Sequence, residues 1–129
     1  MLGARLTAGA GGLMNCSVGL LYVLPESLVR RPLQPGQVSA VALIESVGPS
    51  WTILFAISGV VLLAAAIRRR GFIRAHNLAV FVWALYGGAV LFSAALTEPP
   101  APIITGVIGF FVALMHGCIS RGCAERGLR

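Results

Sequence analysis

The sequence predicts an all-α integral membrane protein with four transmembrane helices and both termini in the cytoplasm. Three observations carry that reading. Hydrophobic residues make up 57% of the 129 and charged residues only 11%, against about 25% charged in a soluble domain. The charge-free apolar stretches cluster into four runs near the length that crosses a bilayer. The ten basic residues, all Arg, flank those runs and leave them empty. A mean hydropathy of +0.89 excludes a disordered chain. The absence of a fixed period excludes collagen-like and low-complexity chains. The length allows a single membrane domain, residues 1–129.

The first run covers residues 6–24 and stops at Pro25. It is the most polar of the four, with Thr7, Asn15, Ser17 and glycines at 9, 11, 12 and 19. A cleaved signal peptide with Arg5 as its basic region is the competing reading. No small-x-small cleavage site follows the run, so a retained span is expected. The second run, 49–67, stops at three arginines. The third, 77–97, stops at Glu98-Pro99-Pro100, and the fourth, 103–119, at Ser120-Arg121. Without water to satisfy the backbone, each closes its own hydrogen bonds as a helix. None alternates polar and apolar residues as barrel strands do. Between the first two runs, residues 25–48 form an outer loop. Its stretch 37–47 is apolar but too short to span, which suits a short interfacial helix leading into Pro49.

Arginine placement sets the orientation. Arg5, Arg68, Arg69, Arg70, Arg74, Arg121, Arg126 and Arg129 fall on one side of a four-span arrangement, and Arg30 and Arg31 on the other. The first side is therefore expected in the cytoplasm, in a multi-pass protein of the cytoplasmic (inner) membrane. Tyr22 and Trp51 then sit at the outer interface, where aromatic rings are favoured. The cluster Arg68, Arg69, Arg70 and Arg74 reads first as a topology signal and as a contact for anionic lipid head groups. The net charge of +6 is thus not read as a nucleic-acid signal.

In lipid, helices meet where small residues let backbones approach. Ala8, Gly12 and Cys16 make one four-residue row, Ala84 and Gly88 another, and Thr105, Gly109, Ala113 and Gly117 the longest. These rows announce helix–helix contact, either within the bundle or between copies in a homo-oligomer. Thr7, Asn15 and Tyr22 lie roughly along one face of the first run. That face either lines a wet path or serves Asn15 as a hydrogen-bonding residue to another helix.

Intramembrane charges are the usual pointers to transport or voltage sensing, and no run carries one. No serine, histidine and acid constellation, phosphate loop or carboxylate pair appears, so neither catalytic residues nor a cofactor is expected. His116, Cys118 and Cys123 lack the fourth ligand and the spacing of a zinc site, so no metal is expected either. Three cysteines give no disulfide framework.

The segment Leu43-Ile44-Glu45-Ser46-Val47-Gly48-Pro49-Ser50-Trp51 opens a span that ends in an Arg-Arg-Arg-Gly turn, with the next helix after Arg74-Ala75-His76. In this order, and in its use of Arg without Lys beside 16 Gly and 18 Ala, the chain resembles the small multi-span, holin-like membrane proteins of actinobacterial phages. The likeness covers residues 43 to about 119 and is one of architecture. It implies self-association that permeabilises the cytoplasmic membrane for lysis. The basic tail after residue 120 resembles the charged C-termini of holins. A non-enzymatic interaction or superinfection-exclusion protein, or a structural subunit of a membrane complex, is the alternative.

Overall fold

The computed structural model describes residues 2–25, 32–97 and 103–128. The described residues form five helices: α1 (Leu2–Leu21), α2 (Ala40–Ser46), α3 (Ser50–Arg68), α4 (Phe72–Leu96) and α5 (Ile104–Glu125). No strand occurs among them. The parts of the predicted outer loop and of the last connection at 26–31 and 98–102 lie outside the described residues, as does Arg129.

Helices α3, α4 and α5 are long and apolar enough to cross a membrane. Within each, no more than a third of the most apolar stretch is buried inside the protein. Many large apolar side chains on them are exposed, Ile53, Ile57, Val60, Phe81 and Phe92 among them, a surface that suits lipid better than water. Helix α1 is 20 residues long but is not among the three. Its five glycines at 3, 9, 11, 12 and 19, with Arg5 and Asn15, dilute its apolar character.

Several helix boundaries differ from those the sequence suggests: α1 runs from Leu2 to Leu21, so Arg5 is already helical and the helix ends short of residue 24. Helix α4 starts at Phe72, not at residue 77. The reversal after α3 is completed within three residues by left-handed backbone at Arg69 (φ 57°) and Gly71 (φ 80°), so Arg74, Ala75 and His76 are already helical. Helix α5 continues past residue 119 to Glu125. There Arg121 and Glu125 pair one turn apart at 2.9 Å, and Ser120 donates to Asn77 Oδ1 at 2.6 Å.

The long helices pack as two antiparallel pairs, each built on glycine. In the first, Gly19 of α1 lies against Thr52 and Ala56 of α3, Gly12 against Gly59 and Leu63, and Arg5 Nε donates to Ala66 O at 3.2 Å. A Cβ at Gly59 would come within 2.7 Å of the Cys16 backbone nitrogen and 2.9 Å of Gly12 O. In the second pair, a Cβ at Gly87 of α4 would fall 2.9 Å from Gly106 O of α5. Gly109 rests on Gly87 and Trp83 O. These approaches leave no room for a side chain, and close backbone packing of this kind holds helices together where lipid is as apolar as leucine.

The buried positions alternate in steps of three and four: Trp51, Phe55, Ser58, Leu62 and Ala65 on α3, and Gly106, Gly109, Ala113, His116, Ser120 and Cys123 on α5. Three-four spacing of this kind is the pattern of a heptad seam. Strict four-residue rows drift by about 40° per step around a helix. The row predicted on α5 therefore turns out of the contact. Gly109 and Ala113 are buried, Gly117 is half-buried with Val80 at 3.9 Å from its Cβ position, and Thr105 is exposed, with Gly106 in its place. On α4 the contact glycine is Gly87; Gly88 faces open space, and Ala84 is half-buried. On α1, Ala8 and Gly12 are buried and Cys16 is half-buried against α3.

Helix α2 crosses one end of the bundle. Ser39 caps it by accepting from Ala42 N at 3.2 Å. Its start is tied to α4, with Ala40 N donating to Ser93 Oγ at 2.7 Å. Trp51 Nε1 donates to Val41 O at 3.0 Å, and Glu45 Oε2 accepts from Trp51 N at 3.0 Å, a carboxylate at the favourable, N-terminal end of α3. Arg5, the Arg68–Arg74 turn, Arg121 and Arg126 all lie at the opposite end, where α1 begins and α5 finishes.

Gly87→Ala is expected to destabilise the α4–α5 pair by about 1–3 kcal/mol. Gly88→Ala should be neutral or stabilising by up to about 1 kcal/mol through helix propensity. Denaturant unfolding of the purified protein in mixed micelles reads the difference; equal effects would mean that α4 presents a different face to α5.

Candidate functional site

The bundle interior is layered along its axis. At the α2 end, Tyr22, Trp51, Phe55, Trp83 and Tyr86 form an aromatic cluster with centroid separations of 5.0–6.4 Å. Edge-to-face arrangements dominate, as the ring quadrupoles favour. At the basic end, Ala8, Leu62, Ala65, Phe72, Ala75, Ala79 and Cys123 close the core. Between these layers lies a polar core, and it is the candidate site.

Asn15 of α1 is fully buried. Its amide nitrogen donates to Ser58 Oγ of α3 at 2.8 Å, and its oxygen accepts from Trp83 Nε1 of α4 at 2.8 Å. One side chain thereby ties three helices. The close α1–α3 contact at Gly12 and Gly59 brings Asn15 within reach of Ser58. One layer toward the basic end, His76 of α4 and His116 of α5 face each other with Nδ1 atoms 2.8 Å apart. One ring donates and the other accepts, so the two rings hold unlike tautomers when both are neutral. His76 Nε2 is buried and meets no partner among the described residues. His116 also reaches across to α1: a Cβ at Gly11 would lie 2.8 Å from its Cε1. Asn77 and Ser120 complete the polar set near the basic end.

The predicted polar face of α1 does not stay together. Asn15 and Tyr22 both point inward, but Thr7 is exposed and bonds back to Gly3 O and Ala4 O, each at 3.1 Å. Thr7 lies about 80° around the helix from Asn15, which is why the face divides. Tyr22 belongs to the aromatic cluster. Arg68, Arg69, Arg70 and Arg74 are exposed at the α3–α4 turn. Cys118 is exposed while Cys123 is buried, and no group of three or more potential metal ligands occurs among the described residues.

His76 is the residue that sequence reasoning missed. Assigned to a turn, it lay outside every span. Its signal was its spacing, one heptad before Trp83, which places both on one helix face. No family model, curated protein or solved structure matches this chain.

Asn15→Ala is expected to cost about 1–3 kcal/mol, because Trp83 Nε1 stays buried without an acceptor. Trp83→Phe removes the donor as well, so the double variant should cost less than the sum of the singles. A double-mutant cycle on unfolding free energies should return a coupling of about 0.6–2 kcal/mol; strict additivity would show that the two side chains do not share a bond.

Proposed function

We propose that the chain is a four-span, non-enzymatic protein of the cytoplasmic membrane with its basic end in the cytoplasm, and that it acts in a holin-like way. Several features support α1 as the fourth span. Twenty helical residues reach about 30 Å. Leu2, Leu6, Leu13 and Leu20 are exposed on its outer surface, while its inner face packs along the length of α3. Clustering of arginines at the end shared by both chain termini favours that end as cytoplasmic.

The observation that carries the lytic reading is the position of the polar core. Asn15 and Ser58 belong to one glycine-packed pair and Trp83, His76 and His116 to the other, so the polar groups lie where the two pairs meet. If the pairs part, the Asn15–Trp83 bond that joins them is lost, and the freed amide oxygen and indole N–H, beside the uncovered imidazole pair, are satisfied only by water. Several copies opened in this way would surround a wet lesion. Gly12, Gly109 and Ala113 are used inside the chain, so copies would associate through other surfaces. The bulky outer face of α5, with Phe111, Leu114 and Met115 exposed, favours the second reading, a membrane protein that docks on another one without opening.

Induced expression with a potential-sensitive dye distinguishes the two. The holin-like action predicts abrupt loss of membrane potential and of growth. Sustained potential at full expression would leave only the interaction role. A reporter fused after Arg129 should be active on the cytoplasmic side; a signal from the other side would reverse the orientation.

A further inference from the structure

At the basic end, on the side of α3 turned away from α1, an open groove of about 730 Å³ runs between α3 and α4. Its floor includes Val61, Ala64 and Ile73, and its rim carries Arg68, Arg70 and Arg74. The volume lies within the range of small-molecule sites. Val61 is seven residues from Arg68, about 10 Å along the helix, so the groove leads from the guanidinium groups into the apolar layer. None of the three arginines has a carboxylate partner among the described residues: Glu125 pairs with Arg121, and Glu45 sits at the other end of the bundle. Three unpaired guanidinium groups above an apolar channel complement a ligand with an anionic head and a hydrocarbon tail. Arginine is the side chain best shaped to grip phosphate oxygens.

We propose that this groove binds one anionic phospholipid, with its phosphodiester among Arg68, Arg70 and Arg74 and the upper part of one acyl chain along Val61, Ala64 and Ile73. The proposal rests on the membrane reading and is independent of the lytic one. It differs from a general attraction of basic loops to acidic membranes by requiring a particular groove on the protein surface.

Native mass spectrometry of the full chain released from detergent, titrated with phosphatidylglycerol or phosphatidylcholine, tests it. One phosphatidylglycerol should remain bound under conditions that strip phosphatidylcholine. The triple variant Arg68→Gln, Arg70→Gln, Arg74→Gln should bind it at least about tenfold more weakly. Arg121→Gln with Arg126→Gln, which removes charge from the same end but outside the groove, should leave binding unchanged. Ala64→Phe should weaken binding by filling the channel with every charge retained. Equal retention of both lipids, an equal loss in the Arg121/Arg126 variant, or displacement by millimolar inorganic phosphate would each overturn the proposal. Carbonate extraction of cell membranes keeps the two levels apart. A chain that washes out fails the membrane reading itself, whereas one that stays inserted without lipid preference fails only the groove.

Discussion

The close approach of backbones at two glycine contacts, Gly12 with Gly59 and Gly87 with Gly106 and Gly109, sets the position of everything else in this bundle. Lipid supplies no hydrophobic force between helices, so cohesion comes from contact distance and from hydrogen bonds across the seam. A side chain at any of these glycines would push a helix outward. The displacement would reach Asn15, whose bonds to Ser58 and Trp83 at 2.8 Å depend on three helices being close at once. It would likewise reach the imidazole pair, since His116 fits against α1 only because residue 11 lacks a Cβ.

The polar core trades against that packing. Each buried polar atom must find its partner inside the protein. Most do: Asn15 bonds through both ends of its amide, and Ser120 bonds Asn77. His76 Nε2 is the exception among the described histidine nitrogens. The unsatisfied ring nitrogen beside a bonded one leaves a polar site in this layer, as Thr52 Oγ1 does at the aromatic end. It lies near the basic end, next to the small side chains of Ala75 and Ala79, while the aromatic cluster fills the other half with large rings. The interior is therefore graded from rigid aromatic packing to a smaller, more polar layer.

The two ends differ as sharply. At one, α2 seals the bundle through backbone and side-chain hydrogen bonds to α3 and α4, and Glu45 provides the only carboxylate described there. At the other, arginines surround a groove. The proposed orientation rests on this asymmetry, because basic side chains resist translocation and are favoured beside anionic lipid on a cytoplasmic face.

Much of this was legible in the residues. Composition and the charge-free runs determined an all-helical chain with apolar segments of spanning length, and the Pro and Arg positions marked where the first three segments stop to within a few residues, whereas α5 runs on through Arg121 to Glu125. The short helix before Pro49 followed from an apolar stretch too short to cross. What the sequence could not determine was rotation about each helix axis. A four-residue row of small residues is compatible with several contact faces, and only a partner's side chains choose among Gly87 or Gly88, and Gly106 or Thr105. The same ambiguity hid His76. Its inclusion in α4 depended on a turn completed by Arg69 and Gly71 in left-handed backbone, and its partner lies 40 residues away. Local sequence determines which segments become helices because each satisfies its own backbone. Only the tertiary structure decides which polar side chains meet, because those bonds form between helices that the chain brings together from far apart.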